Sequence, residues 1–490
     1  MLRNYFGSFI LGLLFSLGFA PNDLWPLSII SITCLFFFLK DKDKRNLFYL
    51  GFFFGLGTWL VGISWLYVSI HYYGNIDFLT SSLIILVFIS ILSLYNGITL
   101  WLYYYLRDDS IISSLFAFPI AWFVVELLRT ILFTGFPWLV SGTMLANTLI
   151  DGWTPIIGAH GNTLLLLLIS SSLYLLLTQI KELKPALLSG LLISILCISG
   201  FGFKRIEWTT LEGSFLASIY QTNLELSEKW STKGIAITQR LMEEAVDNGI
   251  KGEVIVFPET ALILSKKDNK DWINYIDTKA KLKGLTILTG IIEREGENKI
   301  RNRILGLGNA ENHYDKVKLV PFGEFIPLEA ISGKFLDILD LNLTNTVPGD
   351  EYSTIKAGNI RVSPSICYEI AFPSIINKTA SQSNLMVTIS NDTWFGRSYG
   401  PMQHLEIAQN RALEQQKSLI RSTNSGISAF IKNNGDIIEQ QGHFEDKVLR
   451  KEMGLYKGQT FYAKFGNLPI IVFIILILLR IVFNKRNLLN

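Results

Sequence analysis

Eight apolar stretches, seven of them crowded into the first 203 residues, constrain this chain more than any other feature. They run from Tyr5 to Ala20, Leu24 to Leu39, Leu47 to His71, Phe78 to Leu106, Ile111 to Phe133, Thr163 to Gln179, Ala186 to Phe203 and Leu468 to Phe483. A helix needs about 20 mostly apolar residues to cross a bilayer, with a range of roughly 17 to 25. The stretches therefore predict eight membrane spans, the first two of them short. Residues 1 to 20 would also suit a secretory leader, but no small-residue cleavage site follows them and further apolar runs begin at once, so a span is expected. A composition of 49% hydrophobic and 17% charged residues is too apolar for a soluble protein of 490 residues and too polar for a helix bundle alone. The expected organisation is a seven-helix membrane domain over residues 1–203, an α/β domain over 204–467, and a last span with a short tail over 468–490.

The spans sort the short loops into two sets. Arg3, Lys40, Lys42, Lys44, Arg45, Arg107, Lys181, Lys184, Lys485 and Arg486 share the side of the N-terminus, and the loops around Pro21 to Asp23, Tyr72 to Asp77 and Thr134 to Asn162 contain no lysine or arginine. The excess of positive charge on one side predicts that both termini are cytoplasmic and that residues 204–467 lie outside. A net charge of +3 with no long basic run gives no reason to expect a nucleic-acid partner. Of the three cysteines, Cys34 and Cys197 sit in apolar runs and read as buried small hydrophobes, so no disulfide framework is implied. Inside the membrane, Glu126 and Arg129 are three residues apart on one helix and can pair, since isolated charges there are costly.

In the outer segment, strand patterns ("SFLASIYQT", "EVIVFPET", "LTILTGIIE", "LMVTISND") alternate with amphipathic helical ones such as "GPMQHLEIAQNRALEQQK". Three motifs place a reactive group where a strand ends: "VIVFPET" with Glu259, "YDKVKLVPFGEF" with Lys316 and Glu324, and "SICYEI" with Cys367 and Glu369. Ligands of α/β folds bind beyond the carboxyl ends of strands, so these groups can converge on one pocket. Singly each is weak, because a strand-end glutamate or a lysine in "DKVK" is usually solvated and a lone cysteine is usually inert packing.

The order Glu, Lys, Cys in these settings resembles the nitrilase (carbon–nitrogen hydrolase) superfamily, in which the three form a catalytic triad. The resemblance implies Glu259 as general base, Lys316 as the cation and Cys367 as nucleophile, with Lys318 as the nearby alternative lysine. A nitrilase-like αββα domain framed by seven spans before it and one after resembles, more narrowly, the apolipoprotein N-acyltransferases of bacterial inner membranes. That resemblance rests on "GFAPNDLWPL", "GFFFGLGTWLVGISWLYVSI", "VVELLRTILFTGFPW", "NDTWFG" and "QNRALEQQKSLIRSTNSGISA". It differs at Thr393, where the family usually has alanine.

The implied reaction has two steps. Cys367 takes an acyl chain from the sn-1 ester of a phospholipid, phosphatidylethanolamine being the usual donor, and the α-amine of the diacylglyceryl-cysteine at an apolipoprotein's N-terminus then attacks the thioester. A thiol with a base and a cation beside it suits both steps. Lys316 would sit near each oxyanion, with a backbone N–H near Tyr368 as a second donor. The resemblance also implies Glu324, Glu369 and Tyr368 as pocket residues, Glu324 orienting Lys316; a solvated or ion-paired carboxylate is the plainer reading of Glu369. Trp230 is an implied substrate contact. The stretch from Phe325 to Leu343 and the loop "NDTWFGRSYGPM" with Trp394 are candidate lids over a water-sensitive thioester, in which Phe325 and Leu328 would touch lipid. No cofactor or metal is expected, since His71, His160, His313, His404 and His443 lack ligand spacing. Nothing in the sequence calls for an obligate partner subunit. A membrane-bound nitrilase-type amidase acting on a small amide is the alternative enzyme, and a transporter with a ligand-binding outer domain is a third reading.

Overall fold

A computed structural model describes residues 2–296, 299–327 and 345–489. The chain divides into two compact units. The first comprises residues 1–206, 395–406 and 465–490, and the second comprises residues 207–394 and 407–464. The segment 395–406, which the sequence places with the outer domain, thus groups with the helices. The reason lies in its aromatic and amide contacts: the Phe395 ring stands 4.6 Å from that of Trp65. Gln403 Oε1 accepts from the indole N–H groups of Trp65 at 3.1 Å and Trp138 at 2.7 Å.

Every one of the eight apolar stretches contains a helix. Among the described residues, five helices are long and apolar enough to cross a membrane: Phe78–Leu106, Ile111–Arg129, Asp151–Thr178, Leu183–Phe203 and Leu468–Lys485. The third stretch is a correction to the sequence reading. It is not one rod from Leu47 to His71 but a pair, Lys44–Gly62 and Trp65–Tyr73, bent by 57°. Gly62 and Ser64 flank the break, and the Ser64 hydroxyl bonds the Val61 carbonyl at 3.0 Å, so side chain and small residue replace the regular ladder. Counting the pair as one gives six spans. The two remaining helices, Leu2–Ser16 and Trp25–Leu39, have 15 residues each.

Small residues let these helices approach closely, as membrane helices require where hydrophobic burial cannot drive association. A Cβ at Gly12 would lie 2.0 Å from the Phe54 carbonyl oxygen, and one at Gly57 would lie 2.1 Å from that of Phe9. Leu83, Leu86, Val87 and Ile91 project outward, as a lipid-facing surface should. Cys34 is a second correction: it lies on the exposed face of its helix rather than in the core. A sequence that is apolar all round gives no signal for which face packs inward. Glu126 and Arg129 do pair, at 3.8 Å, and both are buried. Glu126 also accepts from Ser141 N at 2.9 Å and Thr163 Oγ1 at 2.6 Å, while Arg129 donates to the carbonyls of Phe136 and Trp138, both at 2.6 Å. The pair anchors the loop from Phe136 to Ser141.

The second unit is two six-stranded sheets. The strands in chain order are β1 Thr209–Tyr220, β2 Val254–Val256, β3 Thr286–Arg294, β4 Ile300–Gly308, β5 His313–Asp315, β6 Ile355–Ala357, β7 Ile360–Ile366, β8 Leu385–Ser390, β9 Leu419–Thr423, β10 Ser428–Ile431, β11 Ile437–Gln441 and β12 Val448–Gly458. Their spatial orders are β12-β1-β2-β3-β4-β5 and β11-β10-β9-β8-β7-β6. Side chains alternate across the sheets as the pleat demands. Val254 and Val256 join Ile219, Leu288, Val362, Ile366, Val387 and Ile420 in the core formed by residues of both sheets. Ile255 and Phe257 turn the other way, onto Met242 and Val246 of helix Thr232–Asp247 and Ile273 and Ile276 of helix Lys270–Lys283. The αβ layering expected from the alternating patterns is therefore present. In the first sheet β1, β2 and β3 are mutually parallel, and β5, antiparallel to β4 as β3 is, runs with them. The carboxyl ends of β2 and β5 therefore open on the same edge.

Candidate active site

Glu259 sits three residues beyond the end of β2, in a turn held against β3. Gly290 N donates to the Pro258 carbonyl at 3.1 Å, and Leu262 N to that of Gly290 at 2.9 Å. A Cβ at Gly290 would lie 2.4 Å from Thr260 N and 2.7 Å from Glu259 Cα, so only glycine lets the turn come this close. Thr260 takes the left-handed conformation, φ 50°, which turns the chain sharply after the glutamate. The Glu259 carboxylate is 5% exposed. Its Oε1 accepts from Asn302 Nδ2 at 2.6 Å and lies 3.4 Å from Lys316 Nζ, and its Oε2 accepts from Asn391 N at 2.7 Å.

Lys316 follows β5 directly and is 1% exposed. Its ammonium lies 2.8 Å from Glu324 Oε1, closer than to Glu259. Burial alone would pull its pKa down, but the charges of Glu324 and then Glu259 overcome this and hold it above the ordinary lysine range. The two carboxylates therefore favour its charged form. Glu324 is itself fixed, since its Oε2 accepts from Val320 N at 2.8 Å within its own turn. Lys318, the alternative lysine, instead sets its ammonium 4.9 Å above the Phe372 ring.

Cys367 begins the short helical turn Cys367–Ala371 after β7, with φ 53°. From Val362 to Ala371 it alone is not fully buried, and it packs in part against the core formed by both sheets. Burial pushes the thiol up to about 12, Glu259 adding to the shift and Lys316 opposing it; a hydrogen bond with Ser390 also stabilises the thiolate. Glu259 and Lys316 thus both act on the sulfur electrostatically, in opposite senses.

Glu369 corrects the plainer sequence reading, for it is neither solvated nor ion-paired. It is fully buried, and its Oε1 accepts from Tyr314 Oη at 2.9 Å, Val317 N at 2.8 Å and Lys318 N at 3.0 Å, while Oε2 accepts from Ile366 N at 2.8 Å. Burial pushes its carboxyl up and the backbone donors pull it back. Tyr368 is buried, its ring edge-on to Phe372 at 5.0 Å. Trp230 and Trp394 are 56% and 44% exposed and Phe325 is half-buried, so none of the three is a core aromatic. Leu328 and residues 328–344 lie outside the described residues. Thr393 is buried and its hydroxyl bonds Asn391 Oδ1 at 2.8 Å, placing the unusual residue behind the amide that meets Glu259.

Sequence reasoning missed Asn302, Asn391 and Ser390. Asn302 left a signal, a lone amide inside the apolar strand "IRNRILGLG"; Asn391 left none, because its backbone makes the contact.

Two family models match the chain: "Apolipoprotein N-acyltransferase N-terminal domain" over residues 11–172 and "Carbon-nitrogen hydrolase" over residues 216–457. Among curated proteins, the apolipoprotein N-acyltransferase of Pseudomonas syringae pv. tomato is 32% identical over 475 residues, covering 95% of this chain and 94% of its own. That of Pasteurella multocida is 33% identical over 494 residues, with 97% and 94% covered. Among solved structures, Saccharomyces cerevisiae Nit3, a member of the nitrilase superfamily, matches 50% of this chain and 91% of its own at 17% identity, with a TM-score of 0.39.

Proposed function

The chain belongs to the apolipoprotein N-acyltransferase family, membrane enzymes that N-acylate lipoproteins, and we propose that it does so through a thioester on Cys367 formed with Glu259 and Lys316. In the first step the Cys367 sulfur attacks the sn-1 ester carbonyl of a phospholipid while Glu259 takes the thiol proton. The oxyanion of the tetrahedral intermediate is stabilised by the Lys316 ammonium; one such donor is worth about 3 to 4 kcal/mol. Collapse expels the lysophospholipid alkoxide, which leaves with the proton returned by Glu259. In the second step the α-amine of the diacylglyceryl-cysteine attacks the thioester, Glu259 again accepts a proton, and the thiol is released as the amide forms. Glu259 returns its proton to the leaving oxygen in the first step and to the sulfur in the second, and because the lysophospholipid leaves before the amine reacts, the cycle is ping-pong.

The observation that carries this reading is the position of Lys316, 3.4 Å from Glu259 and 2.8 Å from Glu324, where its charge also acts on Cys367. Glu324 orients the cation and Glu369 ties the two loops together. Trp230, Trp394 and Phe325 contact the acyl donor. Phosphatidylethanolamine is the proposed donor and the enzyme acts as a monomer. The proposed topology is eight spans in the inner membrane, with both termini cytoplasmic and residues 204–467 periplasmic; the basic loops support that orientation. Incubating the detergent-solubilised protein with a diacylglyceryl-cysteine peptide and a phosphatidylethanolamine carrying different chains at sn-1 and sn-2 tests the reaction: the sn-1 chain is expected on the peptide amine. Transfer of the sn-2 chain, or none, would contradict it.

A further inference from the structure

Lys229 has no place in the mechanism so far, yet it is 2% exposed and lies against the catalytic turn. It ends the four-residue helix Leu226–Lys229, and the exposed Trp230 follows it. Its Nζ donates to the Glu259 carbonyl oxygen at 2.9 Å, its one hydrogen bond to a described residue. Burying an ammonium with three donors and a single partner is costly unless a nearby charge compensates. Burial pulls Lys229 down to about 8, and the attraction of the Glu259 carboxylate acts against that. Its backbone is fixed from the far side as well. A Cβ at Gly234 would lie 2.3 Å from the Glu228 carbonyl oxygen and 3.0 Å from Lys229 Cα, and the Ser231 hydroxyl accepts from Gly234 N at 3.1 Å.

The Glu259 turn is therefore gripped on separate sides. Gly290 supports its backbone, Asn302 and Asn391 fix its carboxylate, and Lys229 holds its carbonyl. Charge points the same way: the buried Lys229 ammonium and the Glu259 carboxylate attract one another.

We propose that Lys229 is a positioning residue of the acyl transfer: its buried ammonium holds the carbonyl of Glu259 and so fixes the turn that aims Glu259 at Cys367. The inference rests on Glu259 being the base. Misplacing a reacting group by about 1 Å can cost 100-fold in rate, and Lys229 touches the base rather than the donor. Its loss should lower the maximal rate and leave donor binding alone.

The test uses the full chain in detergent and single-turnover formation of the acyl-enzyme from phosphatidylethanolamine at varied concentration. Rates are normalised to folded protein measured by thermal melts. Lys229→Met is expected to lower the maximal rate about 10- to 100-fold with the half-saturating donor concentration unchanged, and Lys229→Arg to recover most of it. Lys229→Gln, which keeps a donor without the charge, replaces the Met variant where that one does not fold, and a clear fall in its maximal rate is expected. A wild-type maximal rate per folded molecule in the neutral variant, or a change confined to half-saturation, overturns the proposal. Glu259→Gln run alongside separates the two ideas. An inactive Glu259→Gln beside a fully active Lys229→Met overturns the role of Lys229 alone, whereas a fully active Glu259→Gln overturns the base assignment and this inference with it.

Discussion

The Glu369 carboxylate lies 2.8 Å from the backbone N–H of Val317, and this bond ties the loop that carries Lys316 to the loop that carries Cys367. The same oxygen accepts from Lys318 N, and its partner oxygen from Ile366 N, so one side chain organises both strand ends.

Replacing Glu369 by glutamine should therefore do more damage than its similar shape suggests. Four donors converge on the carboxylate, and an amide NH2 must point at one of them. A buried group left unsatisfied costs about 1 to 3 kcal/mol. The expected outcome in Glu369→Gln is a lower melting temperature together with an acyl transfer rate reduced at least tenfold. Unchanged values for both would show that the tie is dispensable.

Because burial and Glu259 push the Cys367 thiol up to about 12, alkylation of the lipid-free protein should be slow at neutral pH. The thiolate is the reacting form, and below a raised pKa its fraction grows tenfold per pH unit. The rate of Cys367 modification by a small neutral reagent should rise steadily from pH 7 to 10 without a plateau. Lys316→Met, which removes the opposing cation, should react more slowly still. A plateau below pH 9 would mean a preformed thiolate.

Glu126 and Arg129 are saturated with partners inside the helical unit, which favours a structural role over a substrate-facing one. Arg129→Met strands a buried carboxylate and three loop carbonyls, and breaking a buried pair typically costs about 3 to 5 kcal/mol. A large drop in thermal stability in detergent is expected, with the residual folded enzyme turning over normally. Normal stability with lost activity would reverse the assignment.

That each apolar stretch holds a helix was legible, because a bilayer imposes a length and a composition on what crosses it. The bend at Gly62 to Ser64 was not, since hydropathy is blind to which carbonyls a serine hydroxyl captures. The outward face of Cys34 was hidden for the same reason that lipid and core are both apolar. In the outer domain, Glu259, Lys316 and Cys367 stood out because each follows a strand, and the structure brings their loops together. Glu369 stood out in the sequence but most of its partners did not: Tyr314 Oη, Val317 N and Lys318 N come from a distant loop, which no local pattern records. Lys229 carries no signal in "SEKW", because only the fold brings it to Glu259.

The central claim is a thioester on Cys367 formed by general-base attack. Intact mass measurement of the detergent-solubilised protein after incubation with phosphatidylethanolamine, without an amine acceptor, tests it most directly. The account predicts a mass gain of one acyl chain that hydroxylamine removes, present in the unmodified sequence and absent in both Cys367→Ala and Glu259→Gln. An adduct that persists in Glu259→Gln would remove the glutamate from its role. No adduct from any phospholipid would contradict the thioester itself.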